Sequence, residues 1–369
     1  MADLLKNIYN TAFFDLLTRS IEPVVPSFNK KLFLKDISGE NWDQKELKAR
    51  MRHIATVLKK HVQQTTYKKE VDVIQKIITQ LRLNKVKEKG LEFIFFPDFI
   101  EQYGLHDFAT SMKAFEFVTQ FVSCEFAIRP FIVKYPKETM EQMHKWSTHE
   151  HSSVRRFSSE GCRSRLPWAM ALPELKKDAT SILPILENLK CDSSEYVRKS
   201  VANNLNDISK DNPDIVIKLS KKWKGEHENT NWIIKHGCRT LLKQANSNAL
   251  ALFDLSSTTR CEIQNFTTSK SEIQIGDHLQ FSFNLFSLDK KDVKLRLEYA
   301  IYYMKSNGKQ NRKLFKIVEN TYKPNTSYSF QRKQSFQNFT TRKHYVGEHA
   351  LAIVVNGIEY ESVKFQLKL

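Results

Sequence analysis

Glycine and proline are scarce in this chain of 369 residues, with ten of each, so low-complexity linkers and proline-rich segments are not expected. No apolar run reaches the length of about 18 residues that suggests a membrane helix. The N-terminal MADLLKNIYNTAFFDLL is amphipathic rather than a secretion signal. Only five cysteines occur and none forms a CxxC pair, which argues against a disulfide framework or a zinc site. These absences predict a soluble cytoplasmic protein.

Acidic residues are the minority among the charged residues. The chain has 41 Asp and Glu against 58 Lys and Arg, a formal net charge of +17. Such a surplus favours a polyanionic partner, with nucleic acid as the first candidate and an anionic membrane as the second. His144, His149 and His151 lie close together near Glu150, but their spacing matches no established ligand motif. A polar helix end and loop is predicted there, without metal.

A repeated unit dominates residues 151–211, which read HSSVRRFSSEGCRSRLPW, a short bridge and SSEYVRKSVANNLNDISKDNP. The VRR at 154–156 recurs as VRK at 197–199, and a weaker copy, IKH, follows at 234–236. The interval of about 40 residues is typical of HEAT-type helical pairs. The centre of the chain is therefore predicted to be an α-solenoid.

The pattern changes after about residue 256, where apolar segments of strand length are separated by turn signals such as IGDH and KSNGK. Six or seven such segments predict an immunoglobulin-like β-sandwich, although the Cys–Trp–Cys signature of antibody domains is absent. The predicted fold class is multidomain, α then β: a HEAT-like-repeat solenoid at 1–255 and a β-sandwich at 258–369. Basic loops in the second domain suggest a further contact with the polyanion, at 290–291, 305–313 and 340–344.

Glu125 lies on the apolar face of a helix predicted over 107–132. Because glutamate is almost never fully buried without a partner, the position is informative. The residues alone leave two interpretations open: a carboxylate held in a cleft, or a structural ion pair with Arg129 at i+4.

Two further acids follow in the repeats. Glu160 comes three residues after Phe157 on a predicted helix, and Gly161 beside it permits close backbone approach. Asp207 ends a polar stripe at helical spacing, which usually marks a solvated face. This stripe contains only short groups suited to close contact with a ligand: Ser200, Asn203, Asn204 and Asp207.

Basic residues recur at matched positions of successive repeats, so stacking is expected to align them in a track that binds phosphates. The predicted DNA-binding residues are Arg155, Arg156, Arg163, Arg165, Arg198, Lys199, Lys235 and Arg239.

Three segments, SCEFAIRPF, VRRFSSEGCRSRLPW and VRKSVANNLNDISKDNP, together resemble the AlkC-type DNA alkylation-repair glycosylases, relatives of the AlkD HEAT-like-repeat enzymes. The resemblance covers most of the first 250 residues or so, and the β-rich tail fits the immunoglobulin-like domain of that family. It implies a monofunctional glycosylase for 3-methyladenine, with 3-methylcytosine as a further candidate, acting on duplex DNA in base excision repair. It also implies a monomer without metal or cofactor, which bends DNA rather than burying a flipped base.

The resemblance assigns the catalytic acids to Glu125, Glu160 and Asp207, and a lesion-contacting aromatic to Trp168. From spacing alone, Trp168 fits a solenoid core equally well. Two alternatives remain: a non-enzymatic scaffold that binds DNA, RNA or protein, and an RNA-processing or tRNA-binding protein. In a scaffold, the acids would be paired or solvated away from the basic track.

Overall fold

The computed structural model of the chain describes residues 4–39, 41–256, 260–339 and 342–369. Short 3-10 helices lie at Leu5–Ile8, Leu91–Phe93 and Thr180–Ile182. The α-helices are α1 Thr11–Ile21, α2 Lys30–Ile37, α3 Leu47–His61, α4 Tyr67–Leu83, α5 Phe95–Tyr103, α6 Phe108–Phe121, α7 Arg129–Lys134, α8 Pro136–Trp146, α9 Ser152–Gly161, α10 Pro173–Lys177, α11 Leu183–Leu189, α12 Glu195–Asp211, α13 Pro213–Trp223, α14 Glu228–Gly237, α15 Arg239–Lys243 and α16 Ser247–Leu252. The strands are β1 Cys261–Thr268, β2 Glu272–Gln274, β3 His278–Ser287, β4 Val293–Met304, β5 Gln310–Tyr322, β6 Ser327–Ser335, β7 Gly347–Val355 and β8 Ile358–Lys368.

The chain divides into two compact units. One comprises the residues up to Asn212 with Trp223–Gly237, and the other comprises Pro213–Lys222 with Cys238–Leu369. The predicted boundary between 255 and 258 falls partly on residues 257–259, outside the described ranges. The division into domains at that boundary therefore stays a prediction. Among the described residues, no helix is long and apolar enough to cross a membrane.

The predicted repeats are present as helices α9, α12 and α14, which pack in that order, each against the next. The first residues of the three repeated motifs, Val154, Val197 and Ile234, are all buried. Gly161 ends α9 where a Cβ atom would lie 2.8 Å from Ile128 Cγ2, so the close approach expected of this glycine is confirmed. The helical half of the fold prediction is correct.

The helix predicted over 107–132 is wrong. Helix α6 ends at Phe121, Val122 is extended with φ −141° and ψ 138°, and α7 begins only at Arg129. Glu125 consequently lies in the turn between two helices. The direction of its side chain is therefore set by this turn and not by the periodicity of a helix.

The strands form two sheets of a sandwich. Strands β1, β3 and β6 make one sheet, and the other has the order β2, β8, β7, β4, β5. All pairings are antiparallel except that of β2 with β8. Alternate residues of β3 point inward, among them Phe281, Phe283 and Leu285, and they pack in one core with residues of the second sheet such as Leu297 and Ile353. The predicted β-sandwich is confirmed.

Candidate active site

The three predicted acids lie in one continuous network of ion pairs. Arg163 bridges two of them, with Nη1 donating to Glu160 Oε1 at 2.7 Å and Nε to Asp207 Oδ2 at 2.8 Å. Arg156 joins the third acid, Glu125, to Glu160: its Nη1 donates to Glu125 Oε2 at 3.0 Å, and its Nη2 lies 3.5 Å from Glu160 Oε1. We call these five residues the acid-arginine chain.

The network is largely buried, and its arginines are charged. Glu160 lies on the last turn of α9 and Asp207 on α12, and only 6% and 2% of their surfaces are exposed. Burial lowers the pKa of Arg156, but Glu125 and Glu160 outweigh it and the net shift is upward. The pKa of Arg163 is raised in the same way, because Glu160 and Asp207 outweigh burial. Both guanidinium groups therefore stay charged and hold the carboxylates together.

The alternative pairing of Glu125 with Arg129 is not observed. Arg129 is fully buried and clamps the loop after α9 through three carbonyl oxygens, those of Gly161 at 3.0 Å, Arg163 at 2.8 Å and Met170 at 2.6 Å. Burial lowers its pKa to about 10. The ion-pair interpretation of Glu125 was correct in kind but wrong in partner, since the partner is Arg156.

Trp168 is exposed over 61% of its surface, so the interpretation as a core tryptophan is wrong. Its backbone is left-handed, with φ 66°, and Lys48 Nζ contacts its carbonyl oxygen. The indole borders an open cleft of about 330 Å³ that Phe126 and Glu101 also line. Phe126 follows Glu125 in the chain, so the cleft shares one segment with the acid-arginine chain. Trp168 is exposed and available to a ligand in this cleft.

The recurring arginines Arg155 and Arg198 stabilise turns, a role that the sequence alone did not reveal. Arg155 Nη1 donates to the carbonyls of residues 149 and 150, and Arg198 Nη1 donates to those of residues 192 and 193. In each repeat the arginine therefore ties down the turn five and six residues before it. Arg155 also binds Asp192 through Nε at 2.6 Å. Their recurrence is explained in part by these turns.

The other predicted basic residues differ in setting. Arg165 pairs with Asp211 at 2.5 Å, and Lys199 pairs with Glu195 at 2.8 Å on the surface of α12. Lys235 on α14 and Arg239 at the start of α15 are half-buried. Of the eight basic positions, Arg156 and Arg163 are the two that the ion pairs place directly on the acids.

The histidines lie at helix ends and turns, as predicted. His149 Nδ1 accepts from the backbone N–H of His151, and His151 Nδ1 accepts from that of Ser153 at the start of α9. Within the described residues, no group of three His, Cys, Asp or Glu side chains is placed to hold a metal ion.

Two families match different parts of the chain. The family described as "DNA alkylation repair enzyme" matches residues 115–241, and "Uncharacterised protein YhaZ, C-terminal Ig-like domain" matches residues 262–369. "Uncharacterized protein YhaZ" of Bacillus subtilis (strain 168) is 43% identical over 367 residues, with 100% of both chains covered. The solved structure of Pseudomonas fluorescens alkylpurine DNA glycosylase AlkC, bound to DNA containing an abasic site analog, matches 100% of both chains with 34% identity and a TM-score of 0.94. The chain belongs to the AlkC family of DNA alkylation-repair proteins.

The AlkC-family assignment covers the whole candidate site. The acid-arginine chain, Trp168 and all predicted basic positions lie inside the matched segment 115–241. The immunoglobulin-like match from residue 262 agrees with the strands that begin at Cys261. The resemblance, the α-then-β fold and the immunoglobulin-like domain predicted from sequence are thereby confirmed.

Sequence reasoning missed Tyr196 in this AlkC-family site. Its ring centroid lies 4.7 Å from the guanidinium carbon of Arg156 and 4.6 Å from Lys89 Nζ. Tyr196 precedes Ser200 by one helical turn and so extends the polar stripe that ends at Asp207. Continuing that stripe one turn toward the N-terminus of α12 would have found it. Lys89, far away in sequence, gave no such signal.

Proposed function

We propose that this chain is a monofunctional DNA glycosylase that hydrolyses the N-glycosidic bond of cationic alkylated bases in duplex DNA. The preferred lesion is 3-methyladenine, with 3-methylcytosine as a further substrate, and the pathway is base excision repair. The observation that carries the proposal is the joining of Glu125, Glu160 and Asp207 into one network, with the exposed Trp168 on the loop that follows α9. The net charge of +17 suits a DNA ligand.

The chemistry follows from the charges of the acid-arginine chain. Its three carboxylates are matched by three cations, Arg156, Arg163 and Lys210, whose Nζ lies 3.0 Å from Asp207 Oδ1. Hydrolysis of a glycosidic bond develops positive charge on the sugar, which nearby carboxylates stabilise while one of them orients the attacking water. A 3-methylated adenine is already cationic and leaves as a neutral base, so its departure needs no general acid. Trp168 would contact the cationic base or the neighbouring deoxyribose through its ring face.

The pairing of the acids bears on the scaffold alternative. In a scaffold, the acids were expected to be paired or solvated away from the basic track, but here they are paired with Arg156 and Arg163, two of its own members. An acid placed among phosphate-binding cations repels DNA and therefore needs a purpose. The whole-chain similarity to an alkylpurine DNA glycosylase that was solved with DNA favours catalysis as that purpose.

An excision assay tests this function. Incubation with a duplex that contains one 3-methyladenine should release the methylated base and leave an abasic site in an unbroken strand. A duplex with unmodified adenine at the same position is the control. Binding to the lesion duplex without base release, under conditions in which 3-methyladenine persists in the absence of protein, would favour the scaffold.

The proposed function includes the way in which the protein binds DNA. The enzyme acts as a monomer on DNA that it bends, so that the lesion becomes accessible at the surface rather than inside a deep pocket, and the exposure of Trp168 supports this. The predicted basic residues outside the acid-arginine chain contact phosphates, so binding should weaken steeply with salt. Residues 258–369 add affinity as a clamp and contribute no catalytic group.

Neutralising the turn between β4 and β5 tests the clamp. The Lys305→Ala/Lys309→Ala variant should lower the slope of log affinity against log salt by about 2, since each lysine that neutralises a phosphate contributes about one unit. Both residues are exposed, so the fold should survive. The Lys270→Ala/Lys364→Ala variant removes the same charge elsewhere in the domain. Equal slopes for wild type and Lys305→Ala/Lys309→Ala would contradict a clamp contact by this turn.

A further inference from the structure

A second basic element lies outside the predicted track, in the turn between α4 and the short helix at Leu91–Phe93. Its sequence, NKVKEKG at 84–90, places exposed lysines at alternate positions, Lys85, Lys87 and Lys89. The acid within it, Glu88, pairs with Arg82 at 2.8 Å. We call these three lysines the lysine turn. They concentrate positive charge on five residues of chain.

The backbone of the lysine turn is fixed at both ends. Lys85 is left-handed with φ 57°, and it closes α4 through bonds from its own N–H to Arg82 O at 2.9 Å and from Val86 N–H to Leu81 O at 3.1 Å. Lys89 is also left-handed, with φ 67°, and its N–H donates to Phe121 O at 2.7 Å. Non-glycine residues in this region cost free energy and tend to occur where a ligand is held. A turn fixed in this way loses little entropy when it binds.

The lysine turn is also connected to the acid-arginine chain. Lys89 Nζ lies 4.6 Å from the centroid of the Tyr196 ring, and the same ring contacts Arg156, which pairs with Glu125. The aromatic ring attracts both cations and so keeps Lys89 beside the site. Phe121, which accepts the hydrogen bond from the turn, is the last residue of α6 before the segment that carries Glu125. The side chain of Lys89, through Tyr196 and Arg156, and its backbone, through Phe121, are therefore both connected to Glu125.

The distance from the acids sets what this turn can reach. Tyr196 and Asp207 are on one stripe of α12, and their separation of 11 positions corresponds to about 16 Å along a helix that rises about 1.5 Å per residue. Duplex DNA rises about 3.4 Å per base pair, so this span corresponds to about five base pairs. Asp207 is the far acid, because Glu125 is joined to Tyr196 through Arg156. A lysine beyond Tyr196 would therefore meet phosphates within about five base pairs of a lesion placed at the acids, on one side of it.

We propose that Lys85, Lys87 and Lys89 bind the phosphodiester backbone of duplex DNA within about five base pairs of the lesion, on one side of it, with Tyr196 holding Lys89 in place. This inference rests on the proposed function, because the acids define where the lesion lies. It adds a phosphate site on an element separate from helices α9, α12 and α14. The ligand chemistry is that of phosphate oxygens, which Lys binds as a point charge.

A salt series with the intact protein tests the proposal. The Lys87→Ala/Lys89→Ala variant should lower the slope of log affinity against log salt by about 2 on undamaged duplex. The Lys68→Ala/Lys69→Ala variant is the control, since it removes two exposed lysines from the other end of the same helix. A control that lowers the slope as much would overturn the proposal, because the effect would then reflect net charge alone.

Neutral phosphates locate the contact. Methylphosphonates placed within about five base pairs of a central abasic site, on either side in turn, should weaken wild-type binding on one side only. The same substitution should cost Lys87→Ala/Lys89→Ala nothing further, because the partner is gone. Equal losses for both proteins, or equal losses on both sides, would overturn the lysine turn while 3-methyladenine excision by the wild type still stood. A wild type without salt-dependent duplex binding would overturn both this inference and the proposed function.

Discussion

The Glu160→Gln variant should excise 3-methyladenine about 100- to 1,000-fold more slowly than the wild type in single turnover, and Asp207→Asn should behave likewise. Loss of one group that stabilises charge in a transition state costs about 3–4 kcal/mol, and about 1.4 kcal/mol corresponds to a tenfold change in rate. The amides keep the shape of the side chains but remove the negative charge. Because a cationic base leaves readily even unaided, the lower end of the range applies to 3-methyladenine.

DNA affinity separates catalysis from binding in these variants. Removing a negative charge near phosphates should leave binding unchanged or tighter. Glu174→Gln is a matched control, since Glu174 is an exposed acid on α10 that pairs with Lys177 at 2.8 Å, and its rate should equal that of the wild type. Wild-type rates in both Glu160→Gln and Asp207→Asn would mean that these acids are structural, and the glycosylase mechanism would be wrong.

The placement of Glu160 and Asp207 in one network was predictable because periodicity is a local property. Apolar residues such as Val154 and Val201 fix the inward side of each repeat helix, and both are fully buried. Stacking of equivalent helices then brings equivalent positions together. The acids therefore met as the sequence indicated, without knowledge of any contact.

The turn that carries Glu125 was not predictable in this way. Residues 122–128, VSCEFAI, contain neither glycine nor proline, and the apolar spacing continues through them. The helix nevertheless breaks, and Glu125 meets Arg156, 31 positions away. Pro130, at the start of α7, was a local signal that a helix could not run unbroken through 132, but nothing in the local sequence indicated Arg156 as the partner of Glu125.

The exposure of Trp168 has a similar origin. Its apolar character and spacing fit a core, but its left-handed backbone turns the indole outward. Lys48 and Arg129 hold this loop from other helices, Lys48 from a position 120 residues away. Such long-range clamps are visible only once the helices are assembled.

The Arg163→Met variant should lower the free energy of unfolding by about 3–5 kcal/mol at neutral pH. That is the range for removal of one member of a buried ion pair, which leaves its partner charge uncompensated. Here one cation serves both Glu160 and Asp207, and only 7% of its surface is exposed. Arg156 and Lys210 still pair with these acids in the variant, so the lower end of the range applies. Denaturant unfolding followed by circular dichroism measures the loss. The stability of Arg163→Lys should lie between those of the wild type and Arg163→Met. Its ammonium group keeps the charge but lacks the planar fork that reaches both carboxylates.

Combining Arg163→Met with Glu160→Gln and Asp207→Asn distinguishes charge from packing. Without the cation, the two carboxylates destabilise the fold, so neutralising them should restore most of the lost stability. Excision should not return, because the same amides remove the charge that the sugar cation needs. A triple variant no more stable than Arg163→Met would mean that Arg163 acts through packing, whereas recovered excision would remove the acids from the mechanism. Stability restored without activity is the result that a charge-balanced catalytic site requires.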